Sequence, residues 1–394
     1  MKNLETLIQE LCPNGVEFVK LGDVLDYEQP TKYIVKCKDY QNEGMPVLTA
    51  GQTFILGYTD ETNGIFEASK ENPVIIFDDF TTSFHWVDFN FKVKSSAMKM
   101  LRVLSEREVS FRFVYYAMKC IKYQTLEHSR QWISKYSQIE IPLPPIEVQT
   151  EIVRILDKFT SLEAELEAEL DCRKRQYEYY RDKLFSFDNV EGQEVEWKKM
   201  SEVGTFIRGN GLQKKDFTES GVGCIHYGQI YTKFNTFTDK TLTFCSENVA
   251  RKLTPVHPGD LIIACTSENV EDVCKTVAWL GKEDIVTGGH ACVFSHHENP
   301  KYIAYLLQTE NFFQQKKKYA RGVKVIDIKV ADLQKITLPI PSLEEQHRIV
   351  SILDRFESLT TSLQSGLPAE ISARRQQYEY YRDKLLTFKR KGAV

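Results

Sequence analysis

An internal repeat constrains the fold of this 394-residue chain more than any other feature of its sequence. Residues 141–162 (IPLPPIEVQTEIVRILDKFTSL) and 338–359 (LPIPSLEEQHRIVSILDRFESL) are identical at 12 of 22 positions, with an offset of 197. Residues 169–187 and 370–388 are identical at 12 of 19 positions, with an offset of 201, and both contain the run QYEYYRDKL. Because identities of this length do not arise by chance, the chain contains two copies of one module.

The segments that precede these matches have diverged much further. VEFVKLGDV (16–24) parallels VEWKKMSEV (195–203), and VLTAGQ (47–52) parallels CIHYGQ (224–229). Each copy therefore consists of a divergent globular segment followed by a closely matched helical segment. This order predicts two globular domains that alternate with two helical regions.

Both matched regions have the periodicity of long helices. From Ile152 to Leu170 apolar residues recur at steps of three and four, and a seam near 3.5 residues continues to Phe187. A helix of about 42 residues would be roughly 60 Å long, and its apolar stripe needs a partner. The second copy is the expected partner, and Gly366 and Pro368 are expected to break its helix locally. Prolines mark both helix starts: Pro142, Pro144, Pro145, Pro339 and Pro341.

These features predict an α+β fold class, in which two globular mixed α/β domains are separated by two long antiparallel helices that form a coiled coil. The two copies give the fold a pseudo-twofold internal repeat. Strands are predicted at 72–77, 260–265 and 290–294, and shorter helices near 111–121 and 301–316. The predicted divisions are 1–15, an amphipathic N-terminal helix near the distal helix; 16–145, the first domain; 146–188, the central helical region; 189–341, the second domain; and 342–394, the distal helical region.

Composition excludes several classes of protein. No run reaches the roughly 18 uninterrupted apolar residues of a membrane span, and the first residues lack the apolar segment of a secretion signal. The nine cysteines never form a CxxC pair, which favours free thiols in a cytoplasmic protein over disulfides or structural zinc. The net charge of −4 argues weakly against nucleic-acid binding, but residues 195–337 carry 19 Lys and Arg against 16 Asp and Glu.

No motif for catalysis is found in the sequence. It contains no GxxxxGK[ST] phosphate loop and no Asn/Asp-Pro-Pro-Tyr/Phe methylation motif. Asp260 and Glu268 are not followed by the Glu-x-Lys of a nuclease. His290, His296 and His297 have no Cys or His at a metal-binding spacing, so we expect no metal site. The chain is therefore expected to be non-catalytic.

The whole chain resembles the specificity subunits of type I restriction-modification systems. The resemblance lies in two variable segments, each followed by IPLPPIEVQTEIVRILDKF or LPIPSLEEQHRIVSILDRF and then by QYEYYRDKL. It implies that each globular domain is a target-recognition domain that reads one half of a bipartite, asymmetric site in double-stranded DNA. It also implies that the helices set the spacer, which a rigid helical pair can do for half-sites near one DNA turn, about 34–36 Å, apart.

The resemblance also implies partners. Two methylation subunits would dock on the helices, and restriction subunits would join through this methylation core. The assembled complex would be an adenine-specific methyltransferase and ATP-dependent endonuclease. Its S-adenosylmethionine, ATP and magnesium would belong to the partner subunits, leaving this chain without a cofactor. A duplicated coiled-coil scaffold without DNA readout is the alternative that the residues alone leave open.

The run QYEYYRDKL covers every face of a helix, whereas a coiled-coil seam would fix only one stripe. We predict that it docks a partner, and the alternative is packing within the chain after a duplication. The predicted docking residues are Tyr177, Tyr179, Tyr180, Arg181, Tyr378, Tyr380, Tyr381 and Arg382.

Candidate DNA contacts are of two kinds. Gln52 and Gln229 each follow a strand-like run and a glycine, and glutamine can make two hydrogen bonds to adenine; hydroxyl side chains after strands can also reach base edges. Turn and capping roles are the alternatives for these residues. Cations can neutralise phosphates, or form an ordinary solvated surface. The hydroxyl candidates are Thr81, Thr82, Ser83, Thr266 and Ser267. The phosphate candidates are Lys36, Lys38, Lys92, Lys94 and Lys99; Arg208, Asn210, Lys214 and Lys215 in a Gly-rich loop; and Lys316, Lys317, Lys318, Arg321 and Lys324 in the basic segment 314–324.

Overall fold

The computed structural model describes residues 4–51, 53–104, 108–125, 129–187, 195–360 and 366–392. The chain divides into two compact units, of which one comprises Met1–Glu165 with Ala373–Val394 and the other Leu166–Ser372. Each unit holds one globular domain together with helical segments from both copies of the repeat. In the described ranges, no helix is both long and apolar enough to span a membrane, and all nine cysteines are free thiols.

The predicted fold class is confirmed, since mixed globular domains alternate with long helices. The helices are α1 (Leu4–Leu11), α2 (Phe111–Lys119), α3 (Ile146–Ser186), α4 (Met200–Val203), α5 (Tyr227–Thr232), α6 (Glu247–Ala250), α7 (Pro300–Leu306), α8 (Glu310–Lys317), α9 (Val330–Leu333), α10 (Leu343–Thr360) and α11 (Leu367–Leu385).

Helix α3 is continuous over 41 residues and begins directly after Pro145. Ion pairs three or four residues apart, such as Glu151–Arg154 and Glu169–Arg173, support its exposed face. The distal region differs because α10 and α11 are separate helices, as the sequence predicts. Gly366 precedes α11 with a φ of 83°, and a Cβ there would lie 2.7 Å from the carbonyl oxygens of residues 358 and 359, so glycine is required at the break.

The first domain contains two sheets and a strand pair at its junction with α3. The sheet orders are β2-β8-β5-β6 and β4-β3-β7, and β1 pairs with β9 antiparallel. The strands are β1 (Glu17–Lys20), β2 (Leu25–Glu28), β3 (Met45–Leu48), β4 (Ile55–Thr59), β5 (Val74–Asp78), β6 (Phe84–Val87), β7 (Lys92–Val93), β8 (Met98–Val103) and β9 (Glu140–Leu143).

Strand β5 explains how the first domain builds its core. Successive side chains of a strand point to opposite faces. Ile75 and Phe77 therefore pack with Ile152 and Leu156 of α3, while Ile76 on the other face belongs to a second cluster. A strand buried on both faces is almost uniformly apolar, which is why the sequence marks it clearly.

The second domain contains two five-stranded sheets, of orders β11-β21-β17-β19-β14 and β12-β15-β13-β20-β16, and the pairs β10-β23 and β18-β22. Its strands are β10 (Glu196–Lys199), β11 (Gly204–Arg208), β12 (Phe217–Thr218), β13 (Val222–Ile225), β14 (Phe237–Thr238), β15 (Thr243–Cys245), β16 (Thr254–Val256), β17 (Leu261–Ala264), β18 (Thr266–Ser267), β19 (Thr276–Trp279), β20 (Ile285–Thr287), β21 (Ala291–His296), β22 (Ile326–Asp327) and β23 (Thr337–Ile340).

Strand β17 repeats the arrangement of β5 in the second domain. Leu261 and Ile263 belong to the cluster that includes Ile349 and Leu353 of α10, whereas Ile262 packs on the opposite face. Each domain core is thus continuous with the start of the helix that follows it in the chain.

The chain ends meet in the first compact unit. Leu4 of α1 is buried in the same cluster as Leu386, which follows α11 directly. Val16 forms a parallel bridge with Arg390, through hydrogen bonds of 2.9 Å from the amide of Val16 and to its carbonyl. This bridge holds residues 389–391 against the residue that precedes β1.

Candidate nucleic-acid interface

A buried glutamine fixes each globular domain to the start of its long helix. The side-chain oxygen of Gln149 accepts a hydrogen bond from the backbone N–H of Ser110 (2.9 Å), and Gln346 accepts one from Asn299 (2.9 Å). Ser110 and Asn299 are the N-cap residues of α2 and α7. Each glutamine amide also donates to the carbonyl of the proline five residues before it, at 2.8 and 3.0 Å. The two copies therefore share one junction.

A matched aspartate about two turns further along each helix strengthens this junction. Asp157 accepts a hydrogen bond from Tyr116 (2.5 Å), and Asp354 accepts one from Tyr305 (2.8 Å). Asp157 also forms an ion pair with Arg112 of α2 (2.8 Å), and Asp354 forms one with Lys301 of α7 (2.7 Å). Burial raises the pKa of both tyrosine hydroxyls, so these remain donors. The contacts of these matched aspartates thus hold each domain on its helix.

The structure corrects four members of the predicted docking set. Tyr177 and Tyr378 pack in the domain cores of their own units, where burial raises their pKa values. The side chains of Arg181 and Arg382 are only 12% and 16% exposed, because each lies over the tyrosine ring four residues before it and pairs with the aspartate that follows it. These four side chains are engaged within their own units and are less exposed than the remaining members of the predicted set.

The other four tyrosines of the run are exposed. Tyr179 and Tyr380 are each 62% exposed, and each ring makes an edge contact with the tyrosine that follows it. The following residues, Tyr180 and Tyr381, use one ring face internally: they stack on the matched phenylalanines of α10 and α3, at 6.0 and 5.6 Å, and leave the other face accessible. We name Tyr179, Tyr180, Tyr380 and Tyr381 the tyrosine pairs.

In the second domain, the polar candidates meet around the short strand β18. Thr266 lies 3.2 Å from Nδ1 of His290 through its hydroxyl, and its carbonyl accepts a hydrogen bond from Tyr231 (2.8 Å). It also pairs with Asp327 of β22, which adjoins the basic segment. The Gly-rich loop reaches the same region, since the amide of Gly209 donates to Ala291 (2.8 Å).

Several of the candidate cations around β18 are exposed, whereas two other candidates there serve the fold. Lys316 is only 5% exposed, and its ammonium donates to the carbonyls of Glu271 (2.8 Å) and Val273 (2.5 Å), so it is not a phosphate contact. Gln229 caps α5 by accepting from the backbone of His226 (2.9 Å), which is the turn role considered as the alternative. The exposed candidates are Arg208, Asn210, Lys214, Lys215, Lys317, Lys318, Arg321 and Lys324.

In the first domain, the structure divides the candidates in the same way. Lys92 is buried, donates to the carbonyl of Asn63 (2.5 Å) and pairs with Glu61 (3.1 Å), so it is not a phosphate contact. Lys99 is also excluded, because it is buried beside Asp79 at 3.5 Å. Lys36, Lys38 and Lys94 are exposed, and Gln52 lies outside the described residues.

The hydroxyl cluster after β5 forms a tight turn. The carboxylate of Asp78 accepts from the amide of Thr81 (2.8 Å), and the Thr81 and Ser83 hydroxyls lie 2.7 Å apart. Thr82 is buried, with a φ of 59°. Thr81 is exposed and Ser83 is half-buried, so Thr82 is the one member of this cluster whose side chain is turned away from solvent.

Sequence reasoning missed an imidazole–aromatic contact in each domain. In the first, His85 stacks on Phe54 (4.6 Å between ring centres) and lies 2.9 Å from the carbonyl of Gly51. In the second, Tyr227 lies between His226 (4.5 Å) and His290 (4.9 Å). Burial lowers the pKa values of His85 and His226, so both rings are neutral near pH 7 and can donate or accept one hydrogen bond.

One sequence signal for this second contact was available. His290 follows two glycines and adopts a φ of 66°, a left-handed conformation that non-glycine residues rarely take. Such conformations occur often at functional sites. The sequence favours a satisfied surface or core histidine over a metal ligand at this position, and neither interpretation includes a role in a turn.

Comparison with known proteins identifies the family. A model of the type I restriction modification DNA specificity domain matches the chain twice, at residues 13–171 and 193–373. The specificity subunit of the type I restriction enzyme EcoR124I/EcoR124II from Escherichia coli is 43% identical over 409 residues, which span 100% of this chain and 99% of that protein. The MjaVIII specificity subunit from Methanocaldococcus jannaschii is 22% identical over 374 residues, covering 88% of this chain and 87% of that protein.

Solved structures share the fold. The S subunit of a type I system from M. genitalium superposes with a TM-score of 0.51 at 16% identity, covering 94% of this chain and 96% of that one. A chain from a structure that addresses assembly and conformational transition of the type I restriction-modification system gives a TM-score of 0.57 at 18% identity, covering 95% and 98%. With the two family matches and the full-length relative, these findings show that the chain belongs to the type I restriction-modification specificity subunit family.

Proposed function

We propose that this chain is the DNA-recognition subunit of a type I restriction-modification complex, in which each globular domain reads one half of a bipartite, asymmetric site. The observation that carries this proposal is the shared junction, where Gln149 and Gln346 each fix a divergent domain to a closely matched helix. A junction that stays the same while the attached domain varies suits two domains that read different DNA sequences. A scaffold that only joins proteins would not require the domains to diverge while the junction is retained.

The chemistry of the exposed surfaces supports DNA as the ligand. Around β18, exposed cations of two loops lie near the exposed ring of His290. The cations can contact phosphates, and the imidazole can contact base edges. Lys317 and Lys318 stand at the end of α8, where nothing acidic lies between Asn311 and Ile326. In the first domain Lys36, Lys38 and Lys94 would contact phosphates, and Thr81 and Ser83 would lie near base edges.

The tyrosine pairs are the proposed docking sites for two methylation subunits. Aromatic residues dominate the binding energy of many protein interfaces, and exposed tyrosine contributes apolar area with one polar group. Restriction subunits would join through that methylation core. S-adenosylmethionine, ATP and magnesium would be bound by the partners, and this chain would contribute recognition without catalysis.

Single-molecule sequencing of DNA methylation tests the proposal directly. Cells carrying this chain with its methylation subunit should show methylated adenines in a split motif with a fixed gap, and cells lacking this chain should lose that motif. Replacement of residues 196–340 by the equivalent domain of a relative should change only one half of the motif. A contiguous motif, or methylation that persists without this chain, would contradict the proposal.

A further inference from the structure

The segment from Arg321 to Asp327 forms a small hairpin with an apolar tip. The amide of Arg321 donates to the carbonyl of Asp327 (3.1 Å), and the amide of Asp327 donates back (2.8 Å), which closes the hairpin. Gly322 has a φ of 118°, and a Cβ there would clash with the carbonyl oxygen of Val325. Val323 is 95% exposed and Val325 is 59% exposed. Among the described residues, no other large apolar side chain is as exposed as Val323.

Two valines at a tip are unusual because exposed turns normally carry polar residues or residues that favour turn conformations. The conformation needs Gly322 but places no demand on the chemistry of residue 323, so a polar side chain would serve a solvated turn equally well. Valine there leaves apolar area in water with no contact in the described chain. This arrangement indicates that the tip is covered when a ligand binds.

The surroundings of the tip identify the chemistry of that ligand. Lys317, Lys318, Arg321 and Lys324 are all exposed, and no acidic residue occurs between Asn311 and Ile326, although Arg321 also lies 3.7 Å from the carboxylate of Asp332. A polyanion with accessible apolar groups satisfies both the cations and the valines. Duplex DNA has this combination in its major groove, which admits a two-stranded ribbon and presents the C5-methyl group of thymine.

The hairpin is also attached to the polar surface already described. Asp327 and Ile326 pair with Thr266 and Ser267 of β18, so the hairpin extends the same edge on which His290 lies. The anchored base and the glycine-defined turn hold Val323 in one place, which reduces the entropy lost on binding.

We propose that this hairpin enters the major groove of the half-site read by the second domain, with Val323 against a thymine methyl group and Arg321 and Lys324 on phosphates. The inference rests on the proposed function and makes it more specific, since that half-site must contain a thymine whose methyl group contributes to affinity. Thymine at that position would be distinguished from cytosine by an apolar contact as well as by hydrogen bonds.

A double-mutant cycle tests the contact in the complex assembled with its methylation subunits, on a duplex carrying the motif found by methylation sequencing. Val323→Ala should weaken binding about five- to tenfold. Deoxyuridine in place of one thymine of that half-site should weaken the wild-type complex by a similar factor. The two changes together should cost no more than either alone, because both remove the same contact.

Matched controls separate this contact from other effects. Leu343→Ala removes another exposed apolar side chain in the same unit, near Glu298 at the opposite end of β21 from His290, and should leave affinity unchanged. The inference would be overturned if the losses of affinity from Val323→Ala and from deoxyuridine multiplied independently at every thymine of the half-site. Full affinity of Val323→Ala would also overturn it. A rise in 2-aminopurine fluorescence that depends on Val323 would also overturn it, because it would indicate that Val323 unstacks bases. Loss of the methylation subunit from the Val323→Ala complex would overturn it as well, because it would indicate a role in assembly.

Failure of the proposed function has a different signature. A wild-type complex that shows no preference for the motif over random duplex would refute DNA recognition itself. Specific binding that is insensitive to Val323 and to every thymine methyl group would refute only the hairpin contact.

Discussion

Gln149 accepts a hydrogen bond from the backbone N–H of Ser110 at 2.9 Å, with its side chain almost completely buried. This contact joins the first turn of the 41-residue helix α3 to the N-cap of α2, although the two residues are 39 positions apart in the chain. Both the oxygen and the nitrogen of the Gln149 side-chain amide are hydrogen-bonded, so this residue links the first domain to α3.

Replacement of Gln149 by alanine should therefore destabilise the unit that contains the first domain. The change removes the partner of the part-buried Ser110 amide and a partner of the buried Pro144 carbonyl, and we expect the free energy of unfolding to fall by about 2–3 kcal/mol. Urea unfolding followed by tryptophan fluorescence measures this. Gln138→Ala, at an exposed position, should change the free energy of unfolding by less than about 0.5 kcal/mol. Equal effects of the two variants would contradict the linking role of Gln149.

Adjacent lysines in the basic segment should behave differently. Replacement of exposed Lys317 and Lys318 by alanine should weaken DNA binding and reduce the slope of log affinity against log salt by about 2, because about 0.9 counterions are released per phosphate contact. Lys316→Ala should instead lower thermal stability, since its buried ammonium donates hydrogen bonds to two backbone carbonyls. Titrations of labelled duplex at several salt concentrations, with melting curves, separate the two; an unchanged slope in the double variant would exclude these phosphate contacts.

The tyrosine pairs give a test of docking that spares the core. Tyr179→Asp combined with Tyr380→Asp should abolish co-purification with the methylation subunit, because loss of an anchoring aromatic commonly costs about 2 kcal/mol or more, roughly thirtyfold in affinity, at each site. Phenylalanine at the same positions should retain the complex. Reversal of Arg181 or Arg382 is a poorer test, since both are packed within their units. A folded aspartate variant that still co-purifies would argue against docking here.

Acid should destabilise the second domain through His296. Burial lowers the pKa of this ring to about 4, against 6.5 in an unfolded chain, and its Nδ1 accepts from the amide of Glu298 at 3.1 Å. The unfolded chain therefore binds the proton first, so this contribution to stability is complete above pH 6.5 and is lost as the pH falls towards 4.

His296→Asn keeps an acceptor near the position of Nδ1 but does not titrate. Between pH 7 and pH 4.5 the wild-type protein should lose about 2 kcal/mol more unfolding free energy than this variant. Urea unfolding at the two pH values gives the difference. Parallel losses in both proteins would assign the acid sensitivity to other groups.

The helical framework was predictable because its physical cause is visible in the sequence. The apolar period and the prolines predict a helix over 146–188, and α3 spans Ile146–Ser186. Gly366 likewise marked the break before α11. The sheets were not predictable beyond single strands, because many strands have only two to four residues and pairs such as β13 with β20 join distant segments in parallel. Strand order depends on packing that no local pattern records.

The site was less predictable because adjacent residues of the same type can differ in burial, which the sequence does not show directly. Lys316 and Lys317 are indistinguishable in a run of three lysines, yet one is buried and the other exposed. A signal was available, since Phe312 lies four residues before Lys316 and so shares its face of α8. Lys92 sits on a two-residue strand whose residues are both buried, which no alternation could reveal. The histidine–tyrosine contacts required the tertiary fold.

The composition of the first compact unit has a consequence for how the protein is made. This unit needs both Met1–Glu165 and Ala373–Val394, whereas the other unit is one continuous stretch. During synthesis, the unit that contains the first domain therefore cannot be complete until Ala373–Val394 has been made, whereas the other unit needs no residue after Ser372. A truncation that removes Ala373–Val394 would thus damage the unit that contains the first domain.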